Sequence, residues 1–462
     1  MRFIKFFSIV MVFLTILTIS FSASADLDSK SHNSNKHRQK SSEKKSPPPS
    51  PRPPPRSRRA TSPPPYNNGG RNSGNGKMVF NVVSFGAVGN GVKDDTTAFK
   101  MAWGNACKSE QTATLHVPKG YSFMVQTIIF TGPCKSNLIF QVEGTIMPPD
   151  GPNSWPSKAN KREWLVFKQM KAMSIQGSGL IDGRGKKWWD LPCKPHKALR
   201  FSDSSNLLLR GLRFQNSPKV HVIFSECENV RVEYITIKAP GDSPNTDGVH
   251  LSKSNNVKIY NSIIGTGDDC VSIVSGCHSV DIKNVTCGPS HGMSIGSLGK
   301  GNSKACVKNI TVRDSLIAQS SNGVRIKTWQ GGLGTVSRVT FQNIRMDNVR
   351  NPIIVDQYYC EHSRNCPNKT SAVFVSDILY TGIRGTYDTR SPPVHVACSD
   401  SLPCSNLTMS AVELHPAQGR DNRQKKMNPF CWKAYGTLKT NTVPPISCLL
   451  HGTPKKRVDN QC

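Results

Sequence analysis

The stretch Asn206-Leu-Leu-Leu-Arg-Gly-Leu-Arg-Phe214 is the first copy of a unit that the chain repeats. Each copy alternates apolar and polar residues and then turns at Gly, Asn, Asp or Ser, and the later copies are 229–237, 256–264, 279–287, 309–317 and 338–346. Their first residues are separated by 23, 27, 23, 30 and 29 positions. Alternation of this kind indicates half-buried strands. A period of this length, built from short strands and without room for helices, predicts a parallel β-helix.

A β-sandwich with evenly spaced strands is the alternative interpretation of the repeat. It would pair neighbouring strands antiparallel through short hairpins, whereas a unit repeated in one register fits stacked coils better. We therefore predict an all-β chain that forms a right-handed parallel β-helix, with a short N-terminal capping helix after Asp94-Asp95-Thr96. Each coil would lie about 4.8 Å above the last, so equivalent positions of successive coils become neighbours.

The N-terminus indicates export. Two basic residues precede an apolar run from Phe6 to Phe21, and Ala23-Ser24-Ala25 follows, so residues 1–25 are predicted to be a signal peptide. A membrane anchor is the weaker alternative, because the run is shorter than the ~20 residues that a bilayer requires. The 15 cysteines of an exported chain favour disulfides over metal binding, and four Asn-x-Ser/Thr sequons predict a glycoprotein.

Residues 26–77 differ in composition from the rest of the chain. Twelve Lys and Arg against three Asp and Glu, among runs of Ser and Pro, predict a disordered basic proline-rich segment. The Ser-Pro-Pro-Pro pattern resembles the extensin-type modules of plant cell-wall proteins, and a propeptide or a linker is an equal alternative. We expect the β-helix to occupy residues 78–450 and a basic C-terminal tail to occupy residues 451–462.

The formal net charge of +30 indicates a polyanionic partner. A nucleic acid is the first candidate, but an exported protein rarely meets one. An acidic polymer outside the cell explains the same charge, because a positive surface raises the rate of encounter with a polyanion.

Four short polar motifs interrupt the repeat: Asn245-Thr246-Asp247, Gly267-Asp268-Asp269, Ser290-His291-Gly292 and Arg325-Ile326-Lys327. Asp269 lies 22 residues after Asp247, His291 lies 22 after Asp269, and Arg325 lies 34 after His291. The first two steps are close to one coil, and a glycine-rich loop at 296–304 can absorb the longer one. Stacking therefore predicts that all four motifs form a column on one face.

The predicted column has the composition of a site for glycosidic cleavage. Carboxylates within one or two coil heights repel one another, so the pKa of one of them rises, and a protonated acid beside ionised carboxylates can protonate a leaving oxygen while water attacks. Arg325 and Lys327 lie two apart on one strand and share a face, where they could bind an acidic sugar. A calcium site is the alternative for the aspartates, but the nearby cations oppose it.

Together the four motifs resemble the signature motifs of the polygalacturonases, glycoside hydrolase family 28, and most closely those of its plant members. The flanking sequences agree: Ile181-Asp-Gly-Arg-Gly185 with Trp188-Trp189, and Cys287-Gly-Pro-Ser-His-Gly292. The resemblance extends over about residues 80–448 and implies a pectin-lyase-like solenoid that hydrolyses α-1,4-galacturonan. Many members have Gly where this chain has Ser290, and this difference could alter how the substrate fits.

The resemblance also implies residue roles. Asp268 would be the general acid, Asp247 and Asp269 would activate water for an inverting displacement, and His291 would support them. The substrate-binding residues would be Asn245, Arg325, Lys327 and Tyr359, with Tyr358 as the alternative to the last. The family pairs the positions of Cys270 and Cys287. We further predict that Cys360–Cys366 and Cys398–Cys404 close short local loops and that Cys107–Cys134 ties the cap to the helix.

These inferences predict a secreted, monomeric enzyme of the plant cell wall that acts in cell-wall modification. It would bind an acidic polysaccharide, use no metal or cofactor, and contact neither nucleic acid nor membrane. Endo and exo action are both compatible with the motifs. The competing functions are a pectate-lyase-like elimination and a non-catalytic wall protein that binds pectin through its charge.

Overall fold

The computed structural model describes residues 70–73, 77–156, 163–191, 198–361, 366, 368–417, 427–454 and 462. The predicted signal peptide and most of the predicted proline-rich segment lie outside the described residues. Among the described helices, none is both long and apolar enough to cross a membrane.

The described residues form 29 strands and one α-helix, α1 (Thr96–Lys108). Single 3₁₀ turns occur at Val82–Phe85, Pro152–Ser154, Gly185–Trp188 and Lys300–Asn302. The strands are β1 Gly70–Ser73, β2 Lys77–Asn81, β3 Asn90–Asp94, β4 Ala113–Val117, β5 Ser122–Met124, β6 Ile128–Thr131, β7 Leu138–Val142, β8 Thr145–Met147, β9 Leu165–Lys168, β10 Met173–Gln176, β11 Leu180–Asp182, β12 Leu199–Arg210, β13 Arg213–Gln215, β14 Val222–Glu233, β15 Thr236–Lys238, β16 Val249–Ser252, β17 Asn255–Gly265, β18 Val271–Ile273, β19 His278–Cys287, β20 Met293–Leu298, β21 Lys304–Ala318, β22 Asn322–Trp329, β23 Leu333–Val349, β24 Asn351–Tyr359, β25 Phe374–Tyr387, β26 Val394–Ala397, β27 Cys404–Pro416, β28 Phe430–Trp432 and β29 Ala434–Leu438.

These strands stack as the coils of a solenoid. Each typical strand pairs in parallel with strands of the coils before and after it, as β18 does with β16 and β20. Among the described pairings only β1 with β2 is antiparallel. The predicted parallel β-helix is confirmed, and the sandwich alternative is excluded because hairpin pairing does not build the sheet.

The first residue of each repeated unit marks a turn between two strand segments. Asn206, Asn229 and Asn256 all have left-handed backbones, with φ of 56°, 54° and 50°. Asparagine tolerates this conformation better than most residues. Because the turns lie above one another, the Asn229 amide donates to Asn206 Oδ1 at 3.1 Å and the Asn256 amide donates to Asn229 Oδ1 at 2.8 Å. The repeat read from the sequence is therefore a ladder of stacked turns.

The interior of the solenoid contains a matching ladder of aromatic rings. Phe130, Phe167, Phe201 and Phe224 are register partners in successive coils. Their ring centroids lie 4.7, 5.4 and 4.9 Å apart in turn, close to the rise of one coil. Burying each phenylalanine stabilises the fold by about 2–3 kcal/mol.

Helix α1 caps the N-terminal end, as predicted, and packs on β2, β4 and β6. Its start differs from the expected cap. The Asp94 carboxylate accepts the Thr96 amide at 3.0 Å, whereas the Asp95 carboxylate accepts the Val88 amide at 2.7 Å and so ties down the preceding loop. Strand β2 ends at Asn81, because the Asn81 side chain accepts the amide of Val83 and starts a 3₁₀ turn.

Disulfides brace the coils, and all four predicted pairings are confirmed: Cys107–Cys134, Cys270–Cys287, Cys360–Cys366 and Cys398–Cys404. The sequence did not indicate two others, Cys306–Cys462 and Cys431–Cys448. The first of these ties the last residue of the chain to β21, across a sequence separation of 156. Among the described cysteines, Cys227 and Cys277 are unpaired and buried.

The aromatic ladder predicts a large stability loss for Phe224→Ala. The side chain is fully buried between coils, so the change should lower the free energy of unfolding by about 3–5 kcal/mol, measured by denaturant unfolding. The control Ile129→Ala removes an exposed aliphatic side chain and should cost no more than about 0.5 kcal/mol. Equal losses for the two variants would contradict the role of the ladder.

Candidate active site

Strand register brings the predicted site residues into one column. Val249, Val271 and Met293 are successive partners in β16, β18 and β20, so the residues two positions before them, Asp247, Asp269 and His291, occupy successive coils. Backbone hydrogen bonds hold the connecting turns together. The Gly248 amide donates to the Asp269 carbonyl at 2.9 Å, and the His291 amide donates to the Asp268 carbonyl at 2.9 Å.

Asp269 is the most enclosed of the three carboxylates, with 2% of the residue exposed. One oxygen accepts from Ser294 Oγ at 2.7 Å and from Arg325 Nη2 at 2.8 Å, and the other accepts from Lys327 Nζ at 3.0 Å. A carboxylate that accepts three charge-assisted or hydroxyl donors is well compensated for its burial. The structure therefore gives Arg325 and Lys327 a partner within the protein, which the sequence did not indicate.

Asp268 is paired with His291. The Asp268 Oδ1 atom lies 3.1 Å from His291 Nδ1 and also accepts the Asp269 amide at 2.8 Å. Burial acts to raise the pKa of Asp268, but the hydrogen bond and charge of His291 outweigh it and hold the pKa below its usual value. The same hydrogen bond, joined by the negative charges of Asp268 and Asp269, raises the pKa of His291.

Asp247 is the carboxyl group of the column whose pKa is raised. Burial, followed by the negative charges of Asp268 and Asp269, raises the pKa of Asp247 to about 7. The predicted rise in the pKa of one carboxyl group is therefore present, and it falls on Asp247. Near neutral pH the site therefore combines a partly protonated Asp247 with Asp268, whose lowered pKa favours ionisation.

The two tyrosines that were alternatives at the end of β24 occupy different places. The Tyr359 ring centroid lies 5.5 Å from Lys327 Nζ and 5.6 Å from the Trp329 ring, which it meets edge to face. Tyr358 instead donates its hydroxyl to Asp400 at 2.9 Å. Tyr359 is therefore the tyrosine beside the cationic pair. Asn245, at the other end of the column, is exposed and its amide lies 3.4 Å from Asp268 Oδ2.

Ser290, beside His291, makes its contacts inside the protein, and the expectation that it alters substrate fit stays a prediction. Its side chain is buried, its Oγ lies 2.9 Å from Ser320 Oγ, and it accepts the Gly292 amide at 2.9 Å. The Ser290 hydroxyl therefore lies in the protein interior, whereas 44% of the His291 side chain beside it is exposed.

Ser294 is the site residue that the motifs missed. It is the register partner of Arg325 and precedes it by 31 residues, and it binds both Asp269 and the Arg325 Nε atom, the latter at 3.0 Å. The sequence hides the pairing of Ser294 with Arg325, because the 3₁₀ turn at Lys300–Asn302 makes this coil longer than the regular step of 22 residues.

The ligand atoms of Asp268, Asp269 and His291 lie within 4.8 Å of one another, a spacing that could hold a metal ion. Both oxygens of Asp269 already accept from cations, however, one from Arg325 and one from Lys327. A divalent ion would therefore meet two positive charges at this carboxylate, and acid–base chemistry suits the group better.

A β-helical solenoid with carboxylates, an imidazole and cations clustered on one face defines a polysaccharide-cleaving class of enzyme. The model of Glycosyl hydrolases family 28 matches residues 107–431. Polygalacturonase QRT2 of Arabidopsis thaliana is 42% identical over 345 residues, covering 72% of this chain and 77% of the relative. Polygalacturonase-2 of Solanum lycopersicum is 40% identical over 355 residues, covering 75% and 77%.

The fold comparison agrees with the sequence comparison. The crystal structure of endo-xylogalacturonan hydrolase from Aspergillus tubingensis superposes with a TM-score of 0.66 at 25% identity, covering 77% of this chain and 98% of that one. The chain belongs to glycosyl hydrolase family 28 and is a glycoside hydrolase.

The raised pKa of Asp247 predicts a pH-dependent stability difference. Because the folded pKa of about 7 exceeds the ordinary value of 3.8, the contribution of this group to stability is complete below about pH 4 and is lost as the pH rises to about 7. Asp247→Asn cannot ionise, so its free energy of unfolding relative to the native sequence should rise over this range, by up to about 4 kcal/mol. Denaturant unfolding at several pH values measures the difference.

Asp242→Asn is the matched control, since Asp242 is exposed and lies five residues from Asp247. As a substitution at an exposed position, it should change the free energy of unfolding by no more than about 0.5 kcal/mol at each pH measured. A constant difference for Asp247→Asn as well would contradict the raised pKa.

Proposed function

We propose that this hydrolase cleaves α-1,4-galacturonan, the acidic backbone of pectin. The proposal rests on one observation: three carboxylates, His291 and the cations Arg325 and Lys327 lie together on one face of the solenoid. Two family members described above are polygalacturonases, and the net charge of +30 favours encounter with a polyanion.

Asp268 is proposed to act as the general acid. His291 keeps the carboxyl group of Asp268 ionised. The proton needed for catalysis therefore lies within the Asp268–His291 pair, whose Oδ1 and Nδ1 atoms are 3.1 Å apart. A bound galacturonan chain would displace water from Asp268 and add negative charge beside it. Both effects raise the pKa of a carboxyl group and favour transfer of the imidazolium proton to it.

Asp247 and Asp269 are proposed to position and activate the attacking water, which gives inversion in a single displacement. Asp269 suits this role because Arg325 and Lys327 fix both of its oxygens. The partly protonated Asp247 must be ionised to accept a proton from water, so activity should require a pH high enough to leave it charged.

Arg325 is proposed to bind the carboxylate of the substrate. The Arg325 Nε atom donates to Ser294 Oγ, and its Nη2 atom donates to Asp269 Oδ1. The guanidinium has more N–H donors than these two hydrogen bonds use, so the others can reach a substrate carboxylate. Lys327 is more enclosed, with only 9% of its side chain exposed, and is proposed to orient Asp269 and Tyr359. Asn245 and Tyr359 would then line the two ends of the catalytic subsites.

The test replaces the proposed acid. Asp268→Asn should lower the release of reducing ends from polygalacturonate by at least about a thousandfold, because it removes the transferable proton. The variant should still bind polygalacturonate, measured by calorimetry. Asp242→Asn, an exposed aspartate nearby, is the control and should retain full activity.

Two results would redirect the proposal. If the native enzyme binds pectic polymers but releases no reducing ends from any of them, the non-catalytic binder explains the charge better. Unsaturated, ultraviolet-absorbing products that disappear with a chelator would instead indicate a lyase.

The enzyme is further proposed to act as a secreted monomer in the plant cell wall, where it modifies pectin. The N-terminal sequence of residues 1–25 and the six disulfides among the described residues support the secretory route. Residues 26–77, with their extensin-like runs, would add a basic attachment to the wall.

A further inference from the structure

An exposed aromatic surface lies on the same face as the site, toward the C-terminal end of the solenoid. Strand β28 presents Phe430 and Trp432 with 43% and 47% of their surface exposed. Neighbouring exposed aromatic side chains that form one surface are a common mark of a binding site. The reaction described above uses neither of them.

Strand register places this aromatic surface in line with the two cations of the site. Through β22, β24, β26 and β28, the partners of Arg325 are Ile354, His395 and Phe430, and those of Lys327 are Asp356, Ala397 and Trp432. Register partners in a parallel sheet point to the same side, so both columns run outward from the site. Three coils separate Lys327 from Trp432, or about 14 Å.

The surface is held rigidly. Trp432 donates its indole N–H to Asp400 Oδ1 at 3.0 Å, and Tyr358 donates its hydroxyl to Asp400 Oδ2 at 2.9 Å. Phe430 stacks on the His395 ring, with centroids 5.0 Å apart and planes 23° from parallel. The disulfide Cys431–Cys448 anchors the strand between the two aromatic residues. The indole N–H of Trp432 is therefore satisfied within the protein, and the exposed part of the indole surface is accessible to a ligand.

A cation completes the surface. Lys433 Nζ lies 5.5 Å from the centroid of the Trp432 ring. An aromatic face beside an ammonium group suits one ring of an acidic sugar, because the apolar face of the pyranose can pack on the indole while its carboxylate meets the lysine. Both oxygens of Asp400, the nearest acid in this set, are already engaged by Trp432 and Tyr358, which reduces repulsion of such a ligand.

We propose that Trp432, Phe430 and Lys433 form a distal subsite that binds a later part of the same galacturonan chain that is cut at Asp268. This inference rests on the proposed function, since it takes galacturonan as the substrate. The subsite would hold a sugar three coils, or about 14 Å, from the one whose carboxylate Arg325 is proposed to bind.

The consequence is a preference for long substrates. A trimer that spans the cleavage point is too short to reach Trp432, whereas a polymer engages the site and the distal subsite together and gains affinity from both. The subsite should therefore act on the ratio of kcat/KM for polygalacturonate to kcat/KM for the trimer. It should not contribute to the chemical step itself.

The test compares the native enzyme with Trp432→Ala on polygalacturonate and on galacturonate trimer. The ratio of the two kcat/KM values should fall about fivefold, the size of effect expected for one lost aromatic contact. Trp432→Tyr, which keeps an aromatic face, should recover most of the ratio. The control Tyr234→Ala removes an aromatic residue that is 53% exposed but lies outside the two columns, and should leave the ratio unchanged.

A binding measurement separates this inference from the proposed function. In an Asp268→Asn background, adding Trp432→Ala should weaken calorimetric binding of a galacturonate decamer about fivefold and leave binding of the trimer unchanged. If the native enzyme neither cuts nor binds galacturonan, the proposed function fails. If it cuts galacturonan but Trp432→Ala affects trimer and polymer equally, or not at all, the distal subsite is wrong. An equal loss in Tyr234→Ala would also overturn it.

Discussion

The in-register stacking of parallel strands is the constraint on which the rest of this structure depends. A rise of about 4.8 Å per coil places every side chain in van der Waals reach of its partners above and below. Inside, this spacing stacks Phe201 on Phe224 with planes only 6° apart. At the turns it joins Asn229 to Asn206, and on the outer face it collects Asp247, Asp269 and His291. Core, turns and site are three results of one repeat.

The charges of the site depend on that stacking in turn. Asp269 can be buried because Ser294, Arg325 and Lys327 reach it from later coils. Burial, followed by the negative charges of Asp268 and Asp269, raises the pKa of Asp247 to about 7. A cluster of carboxyl groups is tolerated when one of them is protonated and positively charged side chains lie beside the others. The same arrangement suits the acid–base chemistry proposed above, and its cations oppose a metal ion at Asp269.

The extended face of the solenoid also accounts for how such an enzyme can act on a polymer. Arg325 and Trp432 lie on neighbouring columns of one sheet, so the proposed substrate chain, held at Arg325, would run toward the aromatic surface. A solenoid offers this linear surface without added domains. Rigid elements hold both ends of it, since Arg325 lies in β22 and Trp432 lies beside the disulfide Cys431–Cys448.

The sequence alone determined the class of fold and the residues of the column. Periodic alternation from Asn206 onward and steps of 22 residues between Asp247, Asp269 and His291 are local patterns, and a short regular step can be read directly as one coil. The disulfides Cys360–Cys366 and Cys398–Cys404 were predictable from short local spacing and Cys270–Cys287 from the family resemblance, whereas Cys306–Cys462, with a separation of 156, was not.

The tertiary structure alone decided which charges meet. The steps from Ser294 to Arg325, Ile354, His395 and Phe430 are 31, 29, 41 and 35 residues, so loops of unequal length hide the register that joins them. The pairing of Arg325 and Lys327 with Asp269, the rise in the pKa of Asp247 and the alignment of Trp432 with the site all depend on that register. Electrostatic energies depend on distances between atoms, and the strand stacking sets those distances.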